Sequence, residues 1–288
     1  MPMTINTNLA SLNAQRNANA SQGALATSMQ RLSSGLRVNG AKDDAAGLAI
    51  AERMNSQVRG MNVAVRNAND GISMAQTAEG ALGKVGDSLQ RMRELAVQSR
   101  NETNTGADRD SMDKEFGELA KEVQRVLGGT TFNSKKILGT DGGDFSFQVG
   151  AGTTANDSIK ITTKDMTANT DIKAVAGDDI DGLNRAKIDS TATTTTIGDV
   201  IDKLDTAIST VVSERAALGA SQNRFESVIG NLQISIESQS AARSRIMDAD
   251  FATETSNLSR AQILQQAGNA MVAQANQLPN QVMALLRG

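Results

Sequence analysis

Two stretches of the chain carry a sustained alternation of apolar and polar positions. The first runs Met54, Val58, Met61, Val65, Ala68, Ile72, Ala75, Ala78, Leu82, Val85, Leu89, Met92 and Ala96, stepping by fours and threes with one three–three slip at Ala75–Ala78. A period near 3.5 residues marks a helix with a packed seam. It predicts one helix over residues 44–98, roughly 80 Å long at 1.5 Å per residue. The second stretch runs Ile201, Leu204, Ile208, Val211, Arg215, Leu218, Gln222, Phe225, Ile229, Leu232, Ile236, Gln239, Arg243 and Ile246, unbroken. Its polar members, Arg215, Gln222, Gln239 and Arg243, weaken the seam and can fix its register. A shorter amphipathic helix is predicted over 110–127, on Met112, Phe116, Leu119, Val123 and Val126, with Gly128-Gly129 closing it.

The extreme ends also read as helices, rich in Ala, Asn and Gln. Leu25, Met29, Leu32 and Leu36 line one face near the N-terminus. Near the C-terminus Ala261, Leu264, Gly268, Met271, Ala275, Leu278, Val282 and Leu285 alternate small with large. Small residues let helices approach closely, and Pro279 is expected to kink or shorten this helix. The segment SSGLRVNGAKDD (33–44) separates the first helix from the long one, with Asp43 or Asp44 placed to cap the latter. Asp248 and Asp250 are placed to do the same on the other side.

The middle differs in kind. FSFQV (145–149) and SIKIT (158–162) alternate with period two around GAGTTAND, which predicts a β-hairpin with a long loop. Residues 165–195, rich in Thr, Asp and Ala, read as a surface excursion with weak structure. The predicted fold is therefore mainly α: a long antiparallel coiled-coil-like helical bundle from both chain ends, with a small β-hairpin region in the middle. Three parts are expected: 1–43 with 247–288 as a terminal helical domain, 44–165 with 196–246 as a long-helix bundle with the hairpin, and 166–195 as a short variable surface segment.

Composition narrows the function. The chain has 288 residues, no cysteine and no histidine. Thiolate nucleophiles, thiolate metal sites, disulfides and imidazole bases are thereby excluded. A net charge of −3 supplies no basic field for nucleic acid, and six Phe with no Trp or Tyr supply no stacking platform. No apolar run reaches the roughly 18 residues of a membrane span. MPMTINTNLASLNAQRN lacks the charged and apolar regions of a cleaved secretory signal. GAGTTA (150–155) matches a loose dinucleotide pattern, but a strand follows it where a helix is required. Asp43-Asp44, Asp178-Asp179 and Asp248/Asp250 read as caps and loop charge. No catalytic, cofactor or metal residue is nominated. Arg91 and Leu95 are i,i+4 neighbours just off the first seam. Leu95 can be buried against the 110–127 helix, or form part of an exposed recognition patch.

Several long motifs occur in order at both ends: INTNLASLNAQRN (5–17), RLSSGLRVNGAKDDAAGLAIAERM (31–54), SLQRMRELAVQS (88–99), TTFNSKKIL (130–138) and ARSRIMDADFATETSNLSRAQILQQAGNAMVAQANQLPNQVMALL (242–286). They closely resemble bacterial flagellins, over about 1–165 and 196–288. The resemblance implies a structural subunit, not an enzyme. It implies a helical homopolymer, the extracellular filament of the bacterial flagellum, built for swimming motility. Secretion of unfolded chains by the flagellar type III apparatus is implied too, with an export chaperone, cap and hook-junction proteins as partners. Leu25, Met29, Leu32, Leu36, Leu264, Met271, Leu278, Val282 and Leu285 would serve filament-core assembly. A vertebrate Toll-like receptor for flagellin is a further implied partner, through Arg91, Leu95 and Glu115. A hook–filament junction protein and a generic coiled-coil scaffold are the alternative readings.

Overall fold

The computed structural model describes residues 7–287, with side chains described as far as residue 277. It is mainly α-helical, as the periodicity predicts. In chain order the elements are α1 (Leu9–Ser34), α2 (Ala45–Ser99), α3 (Gly106–Gly129), β1 (Thr131–Phe132), β2 (Lys135–Lys136), β3 (Asp144–Gln148), β4 (Ser158–Thr162), α4 (Thr170–Ala176), α5 (Thr194–Met247) and α6 (Phe251–Arg287). They fall into two compact units. One comprises residues 1–57 with 237–288, the other residues 58–236.

In the larger unit α2 and α5 run antiparallel, which the contact ladder shows directly. Gly71 lies under the Phe225 ring. Glu79 accepts from Gln222 at 2.9 Å, Gly86 faces Val211, and Arg93 pairs with Asp205 at 2.5 Å. The α2 seam is buried at Ala68, Ala75, Ala78, Leu82, Val85, Leu89, Met92 and Ala96. The α5 seam is only half as anticipated. Leu204, Val211, Leu218 and Phe225 are buried, but the alternate positions filled are Val200, Ala207 and Glu214, one residue before Ile201, Ile208 and Arg215. Arg215 is exposed and reaches Glu79 at 3.7 Å. The shift follows from α5 covering a second neighbour besides α2, since Glu214 accepts from Lys164 beyond β4.

Helix α3 starts at a capping box in which Thr105 and Asp108 bond reciprocally. It buries Met112, Phe116, Ala120, Val123 and Leu127. The hairpin β3–β4 pairs antiparallel with Phe145 opposite Ile161 and Phe147 opposite Ile159. Phe147 meets Phe225 edge-on, ring centres 5.7 Å apart.

The segment 165–195 corrects the expectation of weak structure. Met166, Ile172, Val175, Ala176 and Ile188 are buried in the main core. Asn169 caps α4 through Asp171 and Ile172 amides. Arg185 forms a two-pronged pair with Asp113 at 2.9 and 2.6 Å, and Ile188 N donates to the same carboxylate at 3.0 Å. The apolar residues are too widely and irregularly spaced for a helical or strand period, so the pattern was silent where tertiary packing was not.

In the smaller unit α1 lies along α6, antiparallel: Arg31 is level with Glu254, Ala18 with Gly268, and Ser11 with Asn276. Asp44 caps α2 by accepting from Gly47 N at 2.8 Å, and Asp250 caps α6 by accepting from Ala252 N at 3.0 Å. Between the helices the chain crosses itself. Leu36 bridges Asp248, Arg37 N donates to Met247 O at 2.7 Å, and Val38, Ala51 and Met247 close a small core. Pro279 does not shorten α6, which continues to Arg287.

Candidate assembly and recognition surfaces

The α1–α6 pair is built on small and polar residues. Ser11, Ala18 and Ser28 are the buried residues of α1. Glu254, Ala261 and Ala275 are buried on α6, and Gly268 sits where an added Cβ would lie 3.4 Å from Ala18 Cβ. Spacing by seven along α6 makes this one stripe, 254–261–268–275. The polar contacts along it are specific. Asn8 Nδ2 donates to Ala275 O at 2.8 Å, and Ser11 Oγ to Asn276 Oδ1 at 2.7 Å. Glu254 receives Arg31 at 3.9 Å.

Filling the seam with small residues leaves the large ones outside. Leu9, Leu12, Met29, Phe251, Ile263, Leu264 and Met271 are all more than half exposed. The expected assembly residues therefore divide. Met29, Leu264 and Met271 are free on the surface. Leu25 and Leu32 are half-buried, and Leu36 lies beyond α1 in the small crossing core, so these do not share one open face. The heptad places Leu25 and Leu32, seven apart, toward α6 with Ser11 and Ala18, and Met29 off that stripe. Leu278, Val282 and Leu285 lie outside the residues whose side chains are described. The sequence reading missed Leu9, Leu12, Phe251 and Ile263. The signal was present in the Ser11/Ala18 and Ala261/Gly268/Ala275 spacings, because a stripe of small residues must face a helix and displace the large ones from it.

One flank of the pair is an open groove of about 490 Å³, lined by Ala20, Ala24, Thr27 and Arg31 of α1 and by Asn257, Arg260 and Leu264 of α6. Its floor of Ser28 and Ala261 is shallow and small-sided. Arg31 Nε is buried beside it with no hydrogen-bond partner.

The recognition candidates lie in the larger unit. Arg91 donates to Glu115 Oε1 and Glu94 Oε2, each at 2.9 Å, and all three side chains are about half exposed or more. The hydrogen bonds it donates to Glu94 and then to Glu115 hold the Arg91 guanidinium's affinity for its proton above the ordinary value. The structure thus brings Arg91 and Glu115 together. The reading of Leu95 as an exposed knob is corrected: it is 2% exposed and packs into the core with Met92, Phe116 and Ile188. Of the two readings the sequence leaves open for Leu95, burial is the one the structure bears out. Among the described residues no group of acidic side chains has the arrangement of a metal site, and no helix is long and apolar enough to cross a membrane.

Comparison with known proteins matches both ends of the chain. Residues 5–141 match the family described as the bacterial flagellin N-terminal helical region, and residues 201–286 match the bacterial flagellin C-terminal helical region. The chain is 45% identical over 287 residues to the flagellin of Halalkalibacterium halodurans, covering 99% of this chain and 100% of that one. It is 43% identical over 316 aligned residues to the flagellin of Xenorhabdus nematophila, covering 100% of both. A crystal structure of Bacillus cereus flagellin aligns at 30% identity with a TM-score of 0.47, over 58% of this chain and 88% of that one.

Proposed function

The chain belongs to the bacterial flagellin family, the structural subunits of the flagellar filament, and on that premise we propose that it polymerises with copies of itself through its paired terminal helices to build a filament for swimming. The observation that carries this reading is the arrangement of the α1–α6 pair. Its own seam is closed with Ser, Ala and Gly, while Leu9, Leu12, Ile263, Leu264 and Met271 stand in water. Apolar surface of that extent on a two-helix ribbon is stabilised by burial against another molecule. Contacts between unlike surfaces that do not close a ring generate an open helical array.

Export as an unfolded chain through the flagellar type III apparatus fits a sequence with no cysteine, since no disulfide has to be broken or made on the way. An export chaperone, a cap and hook-junction proteins would be its partners, and the outside of the cell its destination. The ordered ion triad of Arg91, Glu94 and Glu115 is the surface on which a vertebrate receptor for flagellin would read the free subunit. Leu95 would support that surface from beneath.

Seeded elongation followed by electron microscopy tests the assembly reading. Leu9→Ser with Leu12→Ser, and separately Ile263→Ser with Leu264→Ser, remove exposed side chains without touching the seam. Both variants should keep the wild-type helicity and elongate seeds at least tenfold more slowly. Truncation of residues 1–40 or 250–288 should stop elongation. Elongation at the wild-type rate by the truncated chains would overturn the proposal.

A further inference from the structure

The methionines whose side chains are described divide sharply by access. Met61, Met74, Met92, Met112, Met166 and Met247 are each 9% exposed or less, and Met54 is half-buried. Met29 and Met271 are 58% and 62% exposed. Both lie on the terminal helix pair. Antiparallel pairing sets Met29 of α1 against the first turns of α6, and Met271 of α6 against the first turns of α1. They therefore occupy separate stretches of the pair. Met271 follows Leu264 by seven residues, so it continues the stripe that walls the groove.

A thioether is oxidised in proportion to its access, and the product replaces a soft apolar tip with a polar, chiral sulfoxide. We propose that Met29 and Met271 are two oxidation sites through which a peroxide controls polymerisation. The proposal rests on the assembly reading above and adds its regulation. In the step, the thioether sulfur attacks one peroxide oxygen and the O–O bond breaks. A sulfur–oxygen bond forms, the sulfur gives up two electrons, and the departing oxygen leaves with both protons as water. The oxidant is hydrogen peroxide or an equivalent two-electron peroxide. The sulfoxide oxygen is a strong acceptor, and burying it against a second subunit without a donor is unfavourable. Once subunits are joined, the two sulfurs would be covered and the filament spared. Methionine sulfoxides are reducible by dedicated reductases, so the block is reversible.

The test uses the intact monomer. After mild hydrogen peroxide treatment, peptide mass mapping should show one added oxygen at Met29 and Met271 at least tenfold ahead of the six buried methionines. The treated monomer should elongate seeds at least tenfold more slowly, and sulfoxide reductase with dithiothreitol should restore the rate. Met29→Leu with Met271→Leu should elongate at one and the same rate before and after peroxide, whatever that rate is relative to wild type, because leucine cannot be oxidised. Met29→Gln with Met271→Gln should imitate the oxidised protein. Oxidation of the six buried methionines as fast as Met29 and Met271, an unchanged rate after both sulfoxides have formed, or a leucine variant as sensitive as wild type would each overturn the proposal. Failure of untreated wild-type protein to elongate seeds would overturn the assembly reading and this regulation with it; the mass map distinguishes the two.

Discussion

Arg91 on α2 and Glu115 on α3 are joined at 2.9 Å across two helices, while Leu95, one turn from Arg91, is 2% exposed. The pair is solvent-exposed and screened by water, so it adds little to stability. Truncating Leu95 instead costs about 2–5 kcal/mol through the cavity it leaves. A double substitution at 91 and 95 would therefore confuse recognition with unfolding. Arg91→Ala and Glu115→Ala are the clean probes. Each should leave the melting temperature within a few degrees and lower receptor activation by the monomer about tenfold or more. Activation unchanged in both variants would remove these residues from the recognition surface.

Gly71 is a helix-interior glycine that its packing requires. A Cβ there would come within 2.9 Å of the Phe225 ring, and that ring is itself held edge-on by Phe147. Helix propensity alone favours Gly71→Ala by about 1 kcal/mol. Overpacking against a buried aromatic costs about 1–3 kcal/mol. The second effect should win, and denaturant titration should show Gly71→Ala less stable than wild type. A more stable variant would mean that the ring can move aside.

Gly268 is the contrasting case. Its added Cβ would meet Ala18 Cβ at 3.4 Å, the edge of ordinary contact. Gly268→Ala should keep the α1–α6 pairing and gain up to about 1 kcal/mol from propensity. Gly268→Leu should force the helices apart. Hydrogen exchange across α1 should show protection kept or raised in the first variant and lost in the second.

How far the sequence could be read depended on periodicity. The α2 seam from Ala68 to Ala96 was legible because each position repeats by three or four. Helix α5 faces two neighbours, so Ala207 and Glu214 joined its buried stripe and Arg215 left it. For Leu95 the sequence leaves burial and exposure both open, and its 2% exposure decides for burial. The terminal surface was half legible. Met29, Leu264 and Met271 were found as large residues on amphipathic helices. Leu9, Leu12 and Ile263 became visible only when the small seam was recognised as the inward face. In 165–195 the buried Met166, Ile172, Val175 and Ile188 sit among Thr and Asp without a period, and their burial comes from long-range contacts.

The clearest of those contacts gives an acid-sensitive prediction. Burial pushes the Asp113 carboxyl up, but hydrogen bonds from Arg185 and Ile188 N outweigh it, and the nearby Lys187 adds to them, so the group lies below its ordinary value of 3.8. The Arg185 guanidinium is raised in turn, chiefly by its bond to Asp113, and also faces Phe116 at 5.9 Å. A carboxylate with a depressed folded-state value stabilises the fold fully above its unfolded value, and that contribution is lost as pH falls through the folded one. Asp113→Asn should therefore cost on the order of 3 kcal/mol at neutral pH, the scale for removing one partner of a largely buried pair. The gap between wild type and variant should hold down to about pH 4 and then close as acid protonates Asp113 in the wild type. Paired thermal melts between neutral pH and about pH 2 read that difference while cancelling the other carboxylates. A gap of constant size across the range would show that Asp113 holds the 177–191 segment by shape alone, without its charge.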